Sequence, residues 1–158
     1  MKAIIINEIG QKENALISTA IDDYSLRNLK EDTMVLHLFQ HSGINMGIDD
    51  LKHENFHTGI QYYKDHNQNI TLRQSGGRSI VADKGVLNMS LCFYSKGSVQ
   101  ENYDYYADFI KTAFEPLSTK IKVKEIEGAY CPGSSDMSID NKKFCGTAQK
   151  KLGNKIEM

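Results

Sequence analysis

Three sets of residues in this chain could do chemistry. The first is Cys131, which precedes Pro132-Gly133 in the stretch YCPGSSDMSIDNKKFCGTAQ, with Lys142 and Lys143 downstream. The attacking species in cysteine chemistry is the thiolate, and a nearby ammonium favours it by stabilising the charged form. Asp136 and a two-strand return lie between thiol and lysine and can bring the two together. Cys131 sits in a turn, whereas Cys92 and Cys145 are embedded in strand-like runs of the kind that hold inert, buried thiols. Lys142 and Lys143 point to opposite faces of a strand, so one of them looks inward, and spacing does not choose between them. A solvated lysine at a hairpin is the plain alternative.

The second set is RQSGGRSIVADKG, residues 73–85. It lacks both the G-x-x-x-x-G-K-[ST] pattern of a triphosphate loop and the full G-x-G-x-x-G of a dinucleotide turn. Gly76-Gly77 has no Cβ, so its backbone either receives a ligand closely or makes an ordinary hairpin turn. The third set is five histidines, with His37/His41 and His53/His57 at i, i+4. No carboxylate or cysteine completes a metal-ligand pattern, and the first pair falls across an expected strand end, where the spacing would not align the side chains. No metal is expected.

The elements that must position these residues follow from periodicity. Helical spacing is read over Asn14–Leu29, with a stripe of Ile17, Ala20, Ile21, Tyr24 and Leu29, and over a second segment striped by Leu51, Phe56, Ile60 and Tyr63. A third helix over 102–117 carries Tyr103, Tyr106, Ala107, Ile110, Ala113, Phe114 and Leu117, with Pro116 in its final turn. Strands are expected at 2–7, 33–40, 70–73, 78–82, 86–94 and 120–127. A loop is expected over 41–50 and a turn at Asp83-Lys84-Gly85. Leu87, Met89, Leu91 and Phe93 alternate with Asn88, Ser90 and Cys92, which predicts one core face and one polar face where a cleft could lie. Lys120, Lys122 and Lys124 mark an edge strand. Residues 137–139 and 142–145 form a hairpin around Asp140-Asn141. Residues 150–158 are short and polar, with a strand at their start that needs partners.

Composition narrows the function. With 40% hydrophobic and 25% charged residues over 158 positions, the chain suits one domain, 1–158, with its own core and no linker or repeat. A formal net charge of −1 with dispersed lysines argues against nucleic acid or an anionic membrane as partner. The apolar run near the start is too short for a signal peptide or a bilayer span, so a cytoplasmic protein is expected. Three cysteines without a C-x-x-C pair point to free thiols.

Four collinear motifs resemble the lipoate-protein ligase A and biotin-protein ligase superfamily. R-x-S-G-G appears as Arg73, Ser75, Gly76 and Gly77, followed by Asp83, Gly85 and Asn88. K-x-x-G-x-A-Q appears as Lys143, Gly146, Ala148 and Gln149. Ala20-Ile21-Asp22-Asp23 is similar to the family's early A-x-D-[ED] helix, and Asn45-Met46-Gly47 to its strand-end loop. Arg78 and Ala82 depart from the ATP-dependent ligases. CPGSSDMSID with Lys143 resembles the octanoyl or lipoyl amidotransferase branch, which moves the acyl group from the glycine cleavage H protein to E2 lipoyl domains.

The resemblance implies an α+β fold, a mixed sheet flanked by helices of the class II aminoacyl-tRNA synthetase and biotinyl-ligase type. It implies Cys131 as acyl-thioester nucleophile and Lys143 as its electrostatic partner. It implies Arg73, Ser75, Gly76, Gly77, Asn88, Asp136 and Gly146 as substrate-binding residues. No ATP, metal or other cofactor is implied, since the octanoyl or lipoyl group is substrate. Members of the family continue well past the A-Q motif, so a C-terminally truncated domain is expected, with an open sheet edge that invites self-association. The alternatives are an ATP-dependent lipoate ligase and a non-catalytic fragment that binds lipoyl domains.

Overall fold

Residues Thr33–His41 carry Thr, Val, His, Phe and His at alternate positions, and they form a strand in which every other side chain is buried. The computed structural model describes residues 2–13, 15–83, 85–117 and 120–158. They fall into two units, Met1–Tyr94 with Lys150–Glu157, and Ser95–Gln149 with Met158. In chain order the elements are β1 (Lys2–Glu13), α1 (Ala15–Asn28), β2 (Thr33–His41), β3 (Gly43–Met46), a 3₁₀ turn (Ile48–Lys52), α2 (Phe56–Asp65), β4 (Ile70–Leu72), β5 (Ile80–Ala82), β6 (Asn88–Tyr94), α3 (Val99–Phe114), β7 (Lys122–Val123), β8 (Met137–Ile139), β9 (Lys142–Cys145), β10 (Lys150–Leu152) and β11 (Lys155–Glu157). Asn14, the expected first residue of the first helix, and Lys84, the centre of the expected turn, lie outside the described residues.

The first unit is built on a five-stranded mixed sheet ordered β1-β2-β6-β11-β10, in which β1 and β2 run parallel and the other pairs antiparallel. This is the α+β architecture with a mixed sheet that the motifs imply. The polar tail resolves into the β10–β11 hairpin, turned at Gly153 with φ +62. Ile156 lies opposite Phe93 and is fully buried. A single apolar residue suffices there because β6 supplies the backbone partners.

Helix α1 buries a different face from the one its apolar residues predict. Ala15, Ser18, Asp22, Ser25 and Leu26 are buried, while Ile17 and Tyr24 are 52% and 69% exposed. Leu26 and Leu29 pack with Val35 and Cys92, flanked by Ile6 and Tyr94. Asp22, on that face, has a partner on the sheet. Asp22 Oδ1 accepts from His37 Nδ1 at 2.8 Å, and His37 Nε2 donates to Glu8 Oε2 at 2.8 Å. Burial disfavours the His37 charge, but hydrogen bonds to Asp22 and Glu8 outweigh it and raise the pKa. A hydrogen-bonded carboxylate can be buried at reduced cost, and Asp22 carries with it the small residues of its stripe, which let the helix approach the sheet closely. The same packing overturns the expectation of an open polar face on β6, since Ser90 and Cys92 are buried on the side that α1 covers. It also corrects the histidine spacing. His37 and His41 share one face of β2, stacked on either side of Phe39 at 4.5 and 5.6 Å, because in a strand residues four apart align.

Glu157, half-buried on β11, is pushed up to about 7, by burial first and then by the Asp22 charge. A folded-state pKa raised above the unfolded value contributes stability at low pH that is lost as pH rises through the folded value. Glu157 therefore weakens the fold between its ordinary 4.5 and about 7, by at most about 3 kcal/mol. His37, also raised, acts in the same direction at higher pH. Urea unfolding at pH 5 and pH 8 is expected to show this decline, and Glu157→Gln to flatten its lower part.

A second sheet, ordered β4-β3-β5, places β3 at its centre with all four residues buried. This stretch was expected as loop. The correction has a physical basis: Gly-Ile-Asn-Met is too short to signal a strand alone, and both partners come from later in the chain. The second expected helix divides, with Leu51 exposed in the 3₁₀ turn and Phe56, Ile60 and Tyr63 half-buried on α2.

In the second unit, α3 begins at Val99, earlier than periodicity indicates, because Ser98 and Glu101 form a reciprocal capping box. It ends at Phe114, so Pro116 lies beyond the helix and Leu117 is exposed. The antiparallel sheet β7-β8-β9 follows, with β7 reduced to two residues of the expected 120–127 strand and set at the sheet edge. No helix of the described residues is long and apolar enough to cross a membrane.

Candidate functional site

The hairpin β8–β9 forms where alternation and Asp140-Asn141 place it. Both turn residues have positive φ, 49° and 60°, which suits a two-residue turn that follows the strand twist. Register then decides between the two lysines. Lys143 lies opposite Ser138, which is fully buried, and Lys142 lies opposite Ile139 and is exposed. Lys143 is the inward lysine. Beyond it the register shifts, with Phe144 as the extra residue between Lys143 and Cys145.

The Lys143 ammonium has three hydrogens and three acceptors. Its Nζ lies 2.9 Å from Asp136 Oδ2, 3.1 Å from the Tyr130 carbonyl oxygen and 2.8 Å from the Cys131 carbonyl oxygen. Two of these flank the cysteine, whose own φ is +48, a region L-residues seldom occupy. A cation shared between two successive carbonyls helps hold the turn in that conformation. Asp136, 3% exposed, also accepts from the Gly133 N–H at 3.0 Å and returns its own N–H to the Gly133 carbonyl at 3.1 Å. It ties the Pro-Gly turn to the lysine. Gly146 gives this cluster room: a Cβ there would meet Lys143 Cε and Nζ at 3.3 and 3.4 Å. Cys131, Asp136, Lys143 and Gly146 thus come together in the second unit. Cys131 is a half-buried free thiol, whereas burial pushes the Cys145 thiol up to about 11. Burial also raises Cys92.

The remaining predicted residues lie in the first unit. The loop after Arg73 is not a hairpin turn, because β4 and β5 each pair with β3 rather than with one another. The chain must cross the end of β3, and it does so against Gly47. A Cβ on Gly47 would stand 1.8 Å from the Gly77 carbonyl oxygen and 2.6 Å from its carbon. Arg73 braces the loop from within, donating from its Nη2 to the Arg78 carbonyl at 2.7 Å, while its backbone N–H reaches the Met46 carbonyl at 3.0 Å. Gly77 takes φ +88, and a Cβ on Gly76 would meet nothing within 4 Å. The close approach of backbones thus falls at Gly47, and Gly76 is open. Ser75 is half-buried. Asn88, opposite Phe39 in register, has a buried Nδ2 without a hydrogen-bond partner.

Sequence reasoning missed the lysine-holding geometry of Asp136, the contact at Gly47, and the Asp22–His37–Glu8 cluster. The spacing of Asp136 before a β-hairpin with an inward lysine is a usable signal for the first. The others join residues far apart in sequence. Among the described residues no group of three or more His, Cys, Asp or Glu side chains is arranged to hold a metal ion.

Comparison with known proteins sets this geometry in context. An octanoyl-[GcvH]:protein N-octanoyltransferase of Oceanobacillus iheyensis is 36% identical over 154 residues, covering 94% of this chain and 55% of the relative. A lipoyl-[GcvH]:protein N-lipoyltransferase of Listeria monocytogenes is 36% identical over 112 residues, covering 69% of this chain and 40% of the relative. The chain spans about half the length of the curated relatives it matches. In fold it is similar to lipoate-protein ligase A bound with ATP, with a TM-score of 0.76, 18% identity, and coverage of 99% of this chain and 63% of that one. The model of the lipoyl protein ligase A/B catalytic domain matches residues 14–157, and the chain belongs to that family.

Proposed function

We propose that this chain carries the acyl-transfer chemistry of an octanoyl or lipoyl amidotransferase working through Cys131. The Cys131 thiolate attacks the amide carbonyl of an acylated lysine on the donor, the glycine cleavage H protein. The C–N bond breaks, the donor amine leaves with a proton, and the acyl group remains on sulfur as a thioester. A lysine amine of an E2 lipoyl domain then attacks that carbonyl, loses a proton, and releases the thiolate. Amide is exchanged for amide, so no nucleotide is consumed.

The observation that carries this reading is the Lys143 ammonium, held 2.8 Å from the Cys131 carbonyl and 3.1 Å from that of Tyr130. It fixes a positive charge beside the turn where a thiolate and then an oxyanion must form. The transferase relatives support the reaction class. Arg73, Ser75, Gly76 and Gly77, with Asn88, are assigned to the acyl group, and Gly146 to the space that Lys143 occupies. The family match covers residues 14–157, which supports reading the chain as a portion of one catalytic domain.

The test is incubation with octanoylated H protein followed by peptide mass spectrometry. An octanoyl adduct is expected on Cys131 and lost in Cys131→Ser. No adduct on the wild-type chain, or one that persists in the variant, overturns the proposal.

A further inference from the structure

The first unit holds a half-buried ion pair that the proposed reaction does not use. Lys150, 15% exposed in its side chain, places Nζ 2.6 Å from Asp23 Oδ1 and 2.5 Å from Gln74 Oε1. Asp23 is anchored on α1, where Arg27 Nε donates to its other oxygen at 2.6 Å. Those hydrogen bonds, from Arg27 first and then Lys150, hold the Asp23 carboxyl below its ordinary range, so it stays ionised. Gln74 lies between Arg73 and Ser75, in an exposed segment that crosses the end of β3. Lys150 is therefore a strut from a helix to the glycine loop. Among the loop's tethers are the Arg73 guanidinium on the Arg78 carbonyl, the backbone contact of Gly77 on Gly47, and, third, the Lys150–Gln74 bond. The third ties the loop to α1, an element outside its own sheet.

We infer that Lys150 is a positioning residue: its ammonium, fixed on Asp23, holds Gln74 and so shapes the Ser75-Gly76-Gly77 backbone to receive an acyl chain. The inference rests on the proposed assignment of this loop to the acyl group. A compact ammonium suits the task, since it can divide its donors between a carboxylate and an amide oxygen without the planar geometry that a guanidinium imposes. Neither group needs to touch the reacting carbonyl. The loss on removing it falls on acyl binding, through a loop that must be ordered at the moment the ligand arrives.

Two measurements on the full chain separate the strut from the reading beneath it. In the first, amide hydrogen exchange over residues 74–79 is compared for wild type, Lys150→Met and Gln74→Leu, the last changing only an exposed side chain. Exchange about tenfold faster in both variants is expected. Unchanged exchange in Gln74→Leu overturns the strut. In the second, calorimetry with Nε-octanoyl-lysine amide as probe is expected to show binding weakened about tenfold in both variants. The double variant is expected to be no worse than either single one, and Lys150→Arg, which keeps the charge but imposes a planar fork, to recover only part of the binding. Faster exchange with unaltered probe binding overturns the positioning role. A wild-type chain that fails to bind the probe overturns the acyl assignment and the positioning role with it, while the exchange data still report whether the strut exists.

Discussion

Gly47→Ala is expected to cost the first unit about 3 kcal/mol or more in stability, the upper range for overpacking a site that cannot relax. The reason is confined to one contact. Gly47 has ordinary extended backbone angles, φ −91 and ψ 163, so alanine meets no torsional penalty there. Its Cβ would instead stand 1.8 Å from the Gly77 carbonyl oxygen, and the obstructing atoms are all backbone. No rotamer change relieves that overlap, so the loop must leave β3 or β3 must leave its sheet. Gly76→Ala is the control, since its Cβ would enter open space, and it is expected to change stability by less than about 0.5 kcal/mol. Thermal or urea unfolding of the two variants checks both values. Equal behaviour of the pair would show that the loop does not rest on Gly47.

Asp136→Asn is expected to destabilise the second unit by about 3 kcal/mol, because it leaves a mostly buried ammonium without its counter-charge. Asparagine can still accept from the Gly133 N–H, so the Pro-Gly turn keeps that bond and the loss isolates the ion pair. The Lys143 side chain is 18% exposed, too little for water to replace the carboxylate in full. Adding Lys143→Met removes the stranded charge and is expected to return part of the lost stability. Acyl transfer should respond differently. Lys143→Met and the double variant lose the cation beside the cysteine, and each is expected to slow octanoyl transfer to Cys131 by about a hundredfold or more, whereas Asp136→Asn keeps the ammonium on the Tyr130 and Cys131 carbonyls and is expected to lose less. Stability that recovers in the double variant while transfer does not would separate the structural cost of the pair from its chemical use. Transfer that recovers with stability would mean that Lys143 serves only the fold.

The parts of the molecule that were legible in sequence are those whose signal is local. The β8–β9 hairpin follows from alternation on both sides of Asp140-Asn141, a pair suited to two successive positive φ values. The glycines of residues 76–77 marked a special loop. Ser98 and Glu101 would have given the start of α3 had the capping box been weighed above periodicity. Helix α1 shows the limit of such reasoning. Its apolar residues describe one stripe, yet a stripe of alanine, serine and aspartate is buried, because β1 and β2 bring Glu8 and His37 to meet Asp22. No local window contains those partners. β3 was missed for a similar reason, since a four-residue central strand is defined by neighbours that arrive later in the chain.

Residue types and spacing, by themselves, determined the place of Cys131 in a turn, the hairpin that follows it and the family motifs, and the resemblance those motifs carry implied the α+β class. The first three are properties of short segments, set by backbone preference and side-chain period. Tertiary structure alone decided which of two adjacent lysines turns inward, that Asp136 holds it, that Gly47 rather than Gly76 is where backbones meet, and that Lys150 reaches a carboxylate 127 residues away. Those outcomes depend on register and on contacts between distant segments, whose energies exist only once the chain has closed the loops between them.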